Sequence, residues 1–151
     1  MSKAWSPPKW MYRDRPPNDN AYFENLTRVI FQAGLSWKVI EKKWPYFRKV
    51  FKNFSIDDVA KFGEKDIERL VTDSSIVRNR AKIIATINNA KRFQSIKKEH
   101  ESFQQYLDSL DKSNNYASVI KDLRKKFNRM GPSSARIFLY TVGENIKHEM
   151  E

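Results

Sequence analysis

A chain of 151 residues can bury one hydrophobic core but is too short for two independent ones, so residues 1–151 are expected to form a single domain. Lys and Arg total 29 against 18 Asp and Glu, a formal charge of +11 that favours a polyanionic partner, nucleic acid ahead of an anionic membrane surface. With no cysteine, disulfides, thiolate catalysis and zinc–thiolate sites are excluded.

Residues 1–20 hold four of the six prolines and two of the four tryptophans and show no helical period, which predicts an extended arm anchored by Trp5, Trp10 and Tyr12. From Asn20 the pattern turns helical, with Tyr22, Phe23, Leu26, Val29 and Ile30 on one face. A second helix follows, carrying Val39, Ile40, Trp44, Phe47, Val50 and Phe51, with Pro45 placed to kink or divide it. Ser55 and Gly63 each open a short helix. The longest helical signal runs from Ile76 to Ile96, with Ile76, Ile83, Ile87 and Ala90 on one side. Between Ile76 and Lys98 stand seven basic residues, among them Arg78, Arg80 and Lys82, and no acid, the pattern of a phosphate-facing surface. Helices are expected again over 102–110, 116–127 and 132–141, and no segment alternates for long enough to claim a sheet, so the fold class is all-α. No run approaches the roughly 20 apolar residues of a spanning helix, and Met1 is followed by no apolar leader, so a cytoplasmic monomer without membrane contact is expected. His100 and His148 alone do not suggest a metal site, and no cofactor is expected.

Two glycine corners stand out. Gly34 ends one helix and Ser36 opens the next, leaving Leu35 at the tip and Trp37 at the start of the following helix. An apolar tip residue is hard to explain by packing, because tips face solvent. The second corner, residues 127–135, joins a basic helix to an apolar one through Asn128, Arg129, Met130, Gly131 and Pro132. Proline at the first helical position leaves the next N–H groups, those of Ser133 and Ser134, aimed outward at the positive end of the helix dipole, where a DNA phosphate fits. This is the helix-hairpin-helix pattern, with a small residue, Ala135, four positions after the glycine and Arg129 where glycine is common.

Phe23-Glu24, Gln32-Ala33-Gly34-Leu35-Ser36-Trp37, Phe47-Arg48, Asp66-Ile67-Glu68-Arg69-Leu70, Ile76-Val77-Arg78-Asn79-Arg80, Lys82-Ile83 and Asn89-Ala90 resemble, in order and without a gap, the motifs of the DNA-3-methyladenine glycosylase I family. The resemblance implies a helix-hairpin-helix DNA glycosylase fold with an extended aromatic arm, acting on double-stranded DNA that contains a damaged base. It further implies that Trp37 and Tyr12 stack on an extruded base, that Trp5 closes the pocket, that Leu35 fills the gap in the duplex, and that Gly131 to Ser134 hold the phosphate backbone. A carboxylate near the sugar would stabilise positive charge there and orient water, and Glu144 and Asp14 are the two candidates.

The sequence departs from the family at three points. The family's zinc ligands are lost, since cysteine is absent and Arg13 replaces one histidine, leaving His148. The glutamate that contacts the alkylated adenine falls on Val29. The segment between Asp14 and Phe23 is shorter, which removes a further aromatic. Bifunctional relatives place a lysine two residues after the hairpin glycine; Ser133 stands there, so a monofunctional glycosylase of an alkylated base is expected. The competing reading, motivated by Val29, is a non-catalytic helix-hairpin-helix protein that binds DNA structure.

Overall fold

A computed structural model of the protein describes residues 13–147, so the expectations for Trp5, Trp10, Tyr12 and His148 lie outside the described residues. Within them the regular structure is helical throughout, as the sequence implies. Residues 13–18 run without regular structure until Asn18, whose side chain accepts from the backbone N–H of Ala21 at 2.9 Å and starts α1 (Asp19–Gln32). Asp19, in the first turn, also reaches across to accept from the N–H of Phe103 at 3.0 Å.

Helix α2 (Trp37–Val50) passes through Pro45 as one helix, which corrects the expectation of a division. Pro45 is exposed, so the carbonyl it leaves without a donor faces water. Two short helices follow, α3 (Ile56–Ala60), capped by the Ser55 hydroxyl, and α4 (Glu64–Val71), whose Asp66 carboxylate accepts from the N–H of Gly63 at 2.9 Å. That hydrogen bond holds the Asp66 carboxyl below its usual pKa.

The long helix, α5 (Arg80–His100), begins four residues later than Ile76 because Asn79 caps it, accepting from the N–H of Lys82 at 3.0 Å. Then come α6 (Phe103–Asp108), α7 (Ser113–Lys126) and α8 (Pro132–Thr141). In α7 the first turn is left-handed at Asn114, Asn115 and Tyr116, with φ of 55°, 53° and 67°. The right-handed helix therefore starts after Tyr116.

Helix α1 is central and packs against α2, α5 and α8; α5 carries α3, α4 and α6 on its other sides. Aromatic rings join the layers: Phe23 of α1 meets Phe93 of α5 at 5.6 Å, Phe93 meets Phe103 of α6 at 4.7 Å, and Phe103 meets Phe138 of α8 at 5.9 Å. All four are essentially inaccessible to solvent, and truncating any one to alanine removes about 3–5 kcal/mol of stability.

The two ends of the described chain meet in a polar knot. Arg13 donates to the Glu144 carbonyl at 2.7 Å and lies over the Tyr140 ring at 4.7 Å, while the N–H of Asp14 donates to Thr141 at 3.1 Å. From the other side, Lys112 Nζ pairs with Glu144 Oε1 at 2.8 Å, the Tyr116 hydroxyl donates to the same oxygen at 3.0 Å, and Asn115 makes two hydrogen bonds to the backbone of Lys147. The left-handed turn aims Asn115 and Tyr116 at this segment.

Candidate nucleic-acid interface

The first corner is built as the sequence implies. Gly34 has φ of +78°, a left-handed conformation that costs glycine nothing, and an added Cβ would meet no atom within 4 Å, so conformation alone explains the residue. Leu35 stands at the tip with 43% of its surface exposed. What holds the corner is Lys82. This side chain is 6% exposed, and its ammonium donates to the carbonyls of Ala33 at 2.9 Å and Phe31 at 3.3 Å. Its assignment to a phosphate-facing surface is corrected: the ammonium is spent on the unpaired carbonyls at the C-terminus of α1, where a cation also suits the helix dipole. Burial, with the nearby Arg129 charge adding to it, lowers the Lys82 pKa from the usual lysine value.

At the second corner, Arg129 has φ of 60°, which explains why glycine is common at this position of the pattern. Gly131 differs. Its φ is −85°, and a Cβ there would meet nothing within 4 Å, so neither strain nor packing within the chain calls for glycine. Pro132 opens α8 and no side chain caps it, leaving the first-turn N–H groups of Ser133 and Ser134 without intrahelical partners. The hairpin is fastened to α5 by Asn89, fully buried, which accepts from the N–H of Asn128 at 2.8 Å and donates to its carbonyl at 3.3 Å. The sequence reading missed this role; the available signal was an asparagine in an apolar phase of the helix beside Ala90.

Between the corners lies a cavity of about 360 Å³. Val29, 3% exposed, and Gln32 form its α1 wall, and Leu35 and the half-buried Trp37 come from the first corner. Ser133 and Ser134 close it from the hairpin side. The structure thus brings together residues more than 90 positions apart in sequence that were expected to act on one base and its backbone.

Other expected site residues are set apart. Glu144 does not line this cavity; it is 4% exposed and taken up by Lys112 and Tyr116, which corrects its assignment as a catalytic acid. Asp14 is exposed and lines two grooves alongside α1 and α2, next to Arg28 and Arg48. Arg78 is exposed, and Arg80 is exposed with its guanidinium 3.0 Å from Glu64. Among the described residues, no carboxylate lines the cavity.

An all-α scaffold with two helical corners closing on a tryptophan-lined cavity defines the helix-hairpin-helix, glycosylase-like class. The model of the methyladenine glycosylase family matches residues 5–143, and the chain belongs to that family. It is 30% identical over 122 residues to a DNA-3-methyladenine glycosylase of Haemophilus influenzae, covering 81% of this chain and 62% of that protein. Over 85 residues it is 41% identical to DNA-3-methyladenine glycosylase 1 of Escherichia coli, covering 56% of this chain and 46% of that one. The chain therefore spans less than two thirds of either relative. Among solved structures, 3-methyladenine DNA glycosylase I of Staphylococcus aureus matches with a TM-score of 0.78 at 25% identity, covering 94% of this chain and 88% of that one. A variant of 3-methyladenine DNA glycosylase I in complex with 3-methyladenine matches at 0.77 and 29% identity, covering 89% and 82%.

The zinc site that the family resemblance implies does not fit this chain. Cysteine is absent, Arg13 occupies one ligand position, and the described residues contain no group of three or more His, Asp or Glu side chains able to hold a metal. The polar knot around Glu144 joins the same two ends of the domain.

Proposed function

We propose that the protein is a monofunctional DNA glycosylase that extrudes an N-alkylated purine from duplex DNA and hydrolyses its N-glycosidic bond. The observation that carries this reading is the single cavity shared by Trp37, Leu35 and the hairpin serines, which couples a stacking face, a wedge and a backbone anchor. Extrusion costs a few kcal/mol of stacking and pairing, which an aromatic face and an apolar wedge offset. The hairpin N–H groups and the exposed lysines and arginines of α5 and α7 supply salt-sensitive affinity for phosphates.

N-alkylation makes the base a cation, so when the C1′–N bond breaks the electron pair leaves with it and the base departs neutral. Positive charge then develops on the sugar, and water adds at C1′ and gives up a proton. Of the two candidate carboxylates Glu144 is committed elsewhere, and Asp14, exposed on the grooves beside α1 and α2 and outside the cavity wall, is the one left for stabilising that charge and taking the proton once DNA is bound. Ser133 offers no amine to form a Schiff base, so the strand stays uncut. The enzyme acts as a monomer on one lesion at a time.

Incubation with methylated duplex DNA, followed by identification of the free bases released, tests the reading. Free alkylpurines and an uncut abasic strand are expected. Salt-dependent DNA binding with no released base, unchanged by Asp14→Asn, would instead establish a non-catalytic binder of DNA structure.

A further inference from the structure

Within that cavity the family's acidic contact has no counterpart at Val29, yet the same wall carries a polar group. Gln32 is the last residue of α1 and lies one helical turn beyond Val29 on the same face. It lines the cavity, it is 4% exposed, and its Oε1 is buried with no donor. Nearby buried polar groups are paired: Lys82 with two carbonyls, Thr86 with the Lys82 carbonyl, Asn89 with the backbone of Asn128. An orphan acceptor at a cavity wall, beside paired groups such as these, is the mark of a group whose partner arrives with the ligand.

We propose that the Gln32 amide is the specificity-determining group that hydrogen-bonds the edge of the extruded base, a role that rests on the glycosylase reading above. A carboxylate accepts only, so it selects an amino edge and favours a cation. An amide carries both a carbonyl and an NH₂, and half a turn about its last bond exchanges them. Gln32 therefore meets an exocyclic amino group with Oε1 or a ring carbonyl with Nε2. The ligand class that follows is N-alkylpurines with either a 6-amino or a 6-oxo edge, stacked on Trp37.

Calorimetric binding of two free bases to the full chain, 3-methyladenine for the amino edge and 3-methylguanine for the oxo edge, tests this alongside base release from methylated DNA. The natural protein binds both, and Gln32→Leu loses about ten-fold or more for each, as expected when a paired edge is left without a partner. Gln32→Glu keeps 3-methyladenine and loses 3-methylguanine. Gln32→Leu melts no lower than the natural protein and binds undamaged DNA equally, because an apolar group replaces an unpaired acceptor. Unchanged affinity for both bases in Gln32→Leu overturns the proposal while leaving the glycosylase reading intact. A lower melting temperature in that variant with base affinity unaltered also overturns it, making Gln32 structural. Binding and release of neither base by the natural protein overturns both.

Discussion

Lys82 Nζ lies 2.9 Å from the carbonyl oxygen of Ala33, so a helix that presents a basic face to solvent also reaches underneath to pin the corner that carries Leu35. Lys82→Met would leave the Ala33 and Phe31 carbonyls unpaired and is expected to lower stability by about 1–3 kcal/mol, measured by urea unfolding. It should slow base release from paired duplex more than from single strands, because the wedge loses its footing. The salt dependence of DNA binding should keep its slope; a slope reduced by about one would restore Lys82 as a phosphate contact.

Gly131→Val tests the hairpin. Since the site is open and φ is ordinary, the fold should be retained, with helical circular dichroism and melting temperature close to those of the natural protein. Affinity for DNA should fall for every sequence alike, by about ten-fold or more, because the added side chain occupies the approach of a phosphate rather than of a base. Loss of helical signal before loss of binding would make the glycine structural.

Val29→Glu places an acceptor in the wall that holds Gln32. Preference should move toward 3-methyladenine by about ten-fold to a hundred-fold over uncharged or 6-oxo lesions, the range set by pairing or orphaning one buried donor. Competition between lesions in one reaction measures it. The same variant should be less stable at neutral pH without ligand, since position 29 is almost fully buried and a carboxylate there loses its hydration. No change in lesion preference would show that this wall does not face the base.

Glu144→Gln separates structure from catalysis. The substitution removes the negative partner of Lys112 and should lower the melting temperature while leaving the rate of base release per folded molecule unchanged. Asp14→Asn should do the reverse. A rate loss confined to Glu144→Gln would reinstate it as the catalytic acid.

The knot also sets an alkaline limit. Burial opposes the charge on Lys112, but its hydrogen bonds to Glu144 and Asp108 outweigh this and raise its pKa; Tyr116 is raised by burial and by Glu144, and Tyr22 is pushed up to about 12, mainly by burial. Each folded-state pKa lies above the unfolded one, so the folded chain holds these protons more tightly. Their contribution is complete below the unfolded values near pH 10 and is lost as pH rises through the folded ones. Melting temperature should therefore decline steeply above about pH 10, and Tyr116→Phe should flatten the decline. An unchanged profile in Tyr116→Phe would remove the tyrosine from the alkaline transition.

Most of the fold was legible in the residues because its determinants are local. Apolar spacing of three and four marked α1, α2 and α5, and a side chain such as Ser55 starts a helix within a few positions of itself. The glycine corners were equally visible, since chain reversal demands particular backbone conformations. Pro45 misled because a proline's effect depends on which side of the helix faces water.

The sequence by itself determined the helical class, the basic surface, the family motifs and the loss of the glutamate at Val29, all properties of residue identity and short-range spacing. Only the tertiary structure decided that Lys82 turns inward, that Glu144 belongs to the knot between the ends, and that Gln32 keeps a buried oxygen without a donor at the cavity wall. A charged side chain reads the same in sequence whether it faces a phosphate or a backbone carbonyl. What separates the two is which elements pack beside it, and that follows from how α1, α5 and α8 share one core.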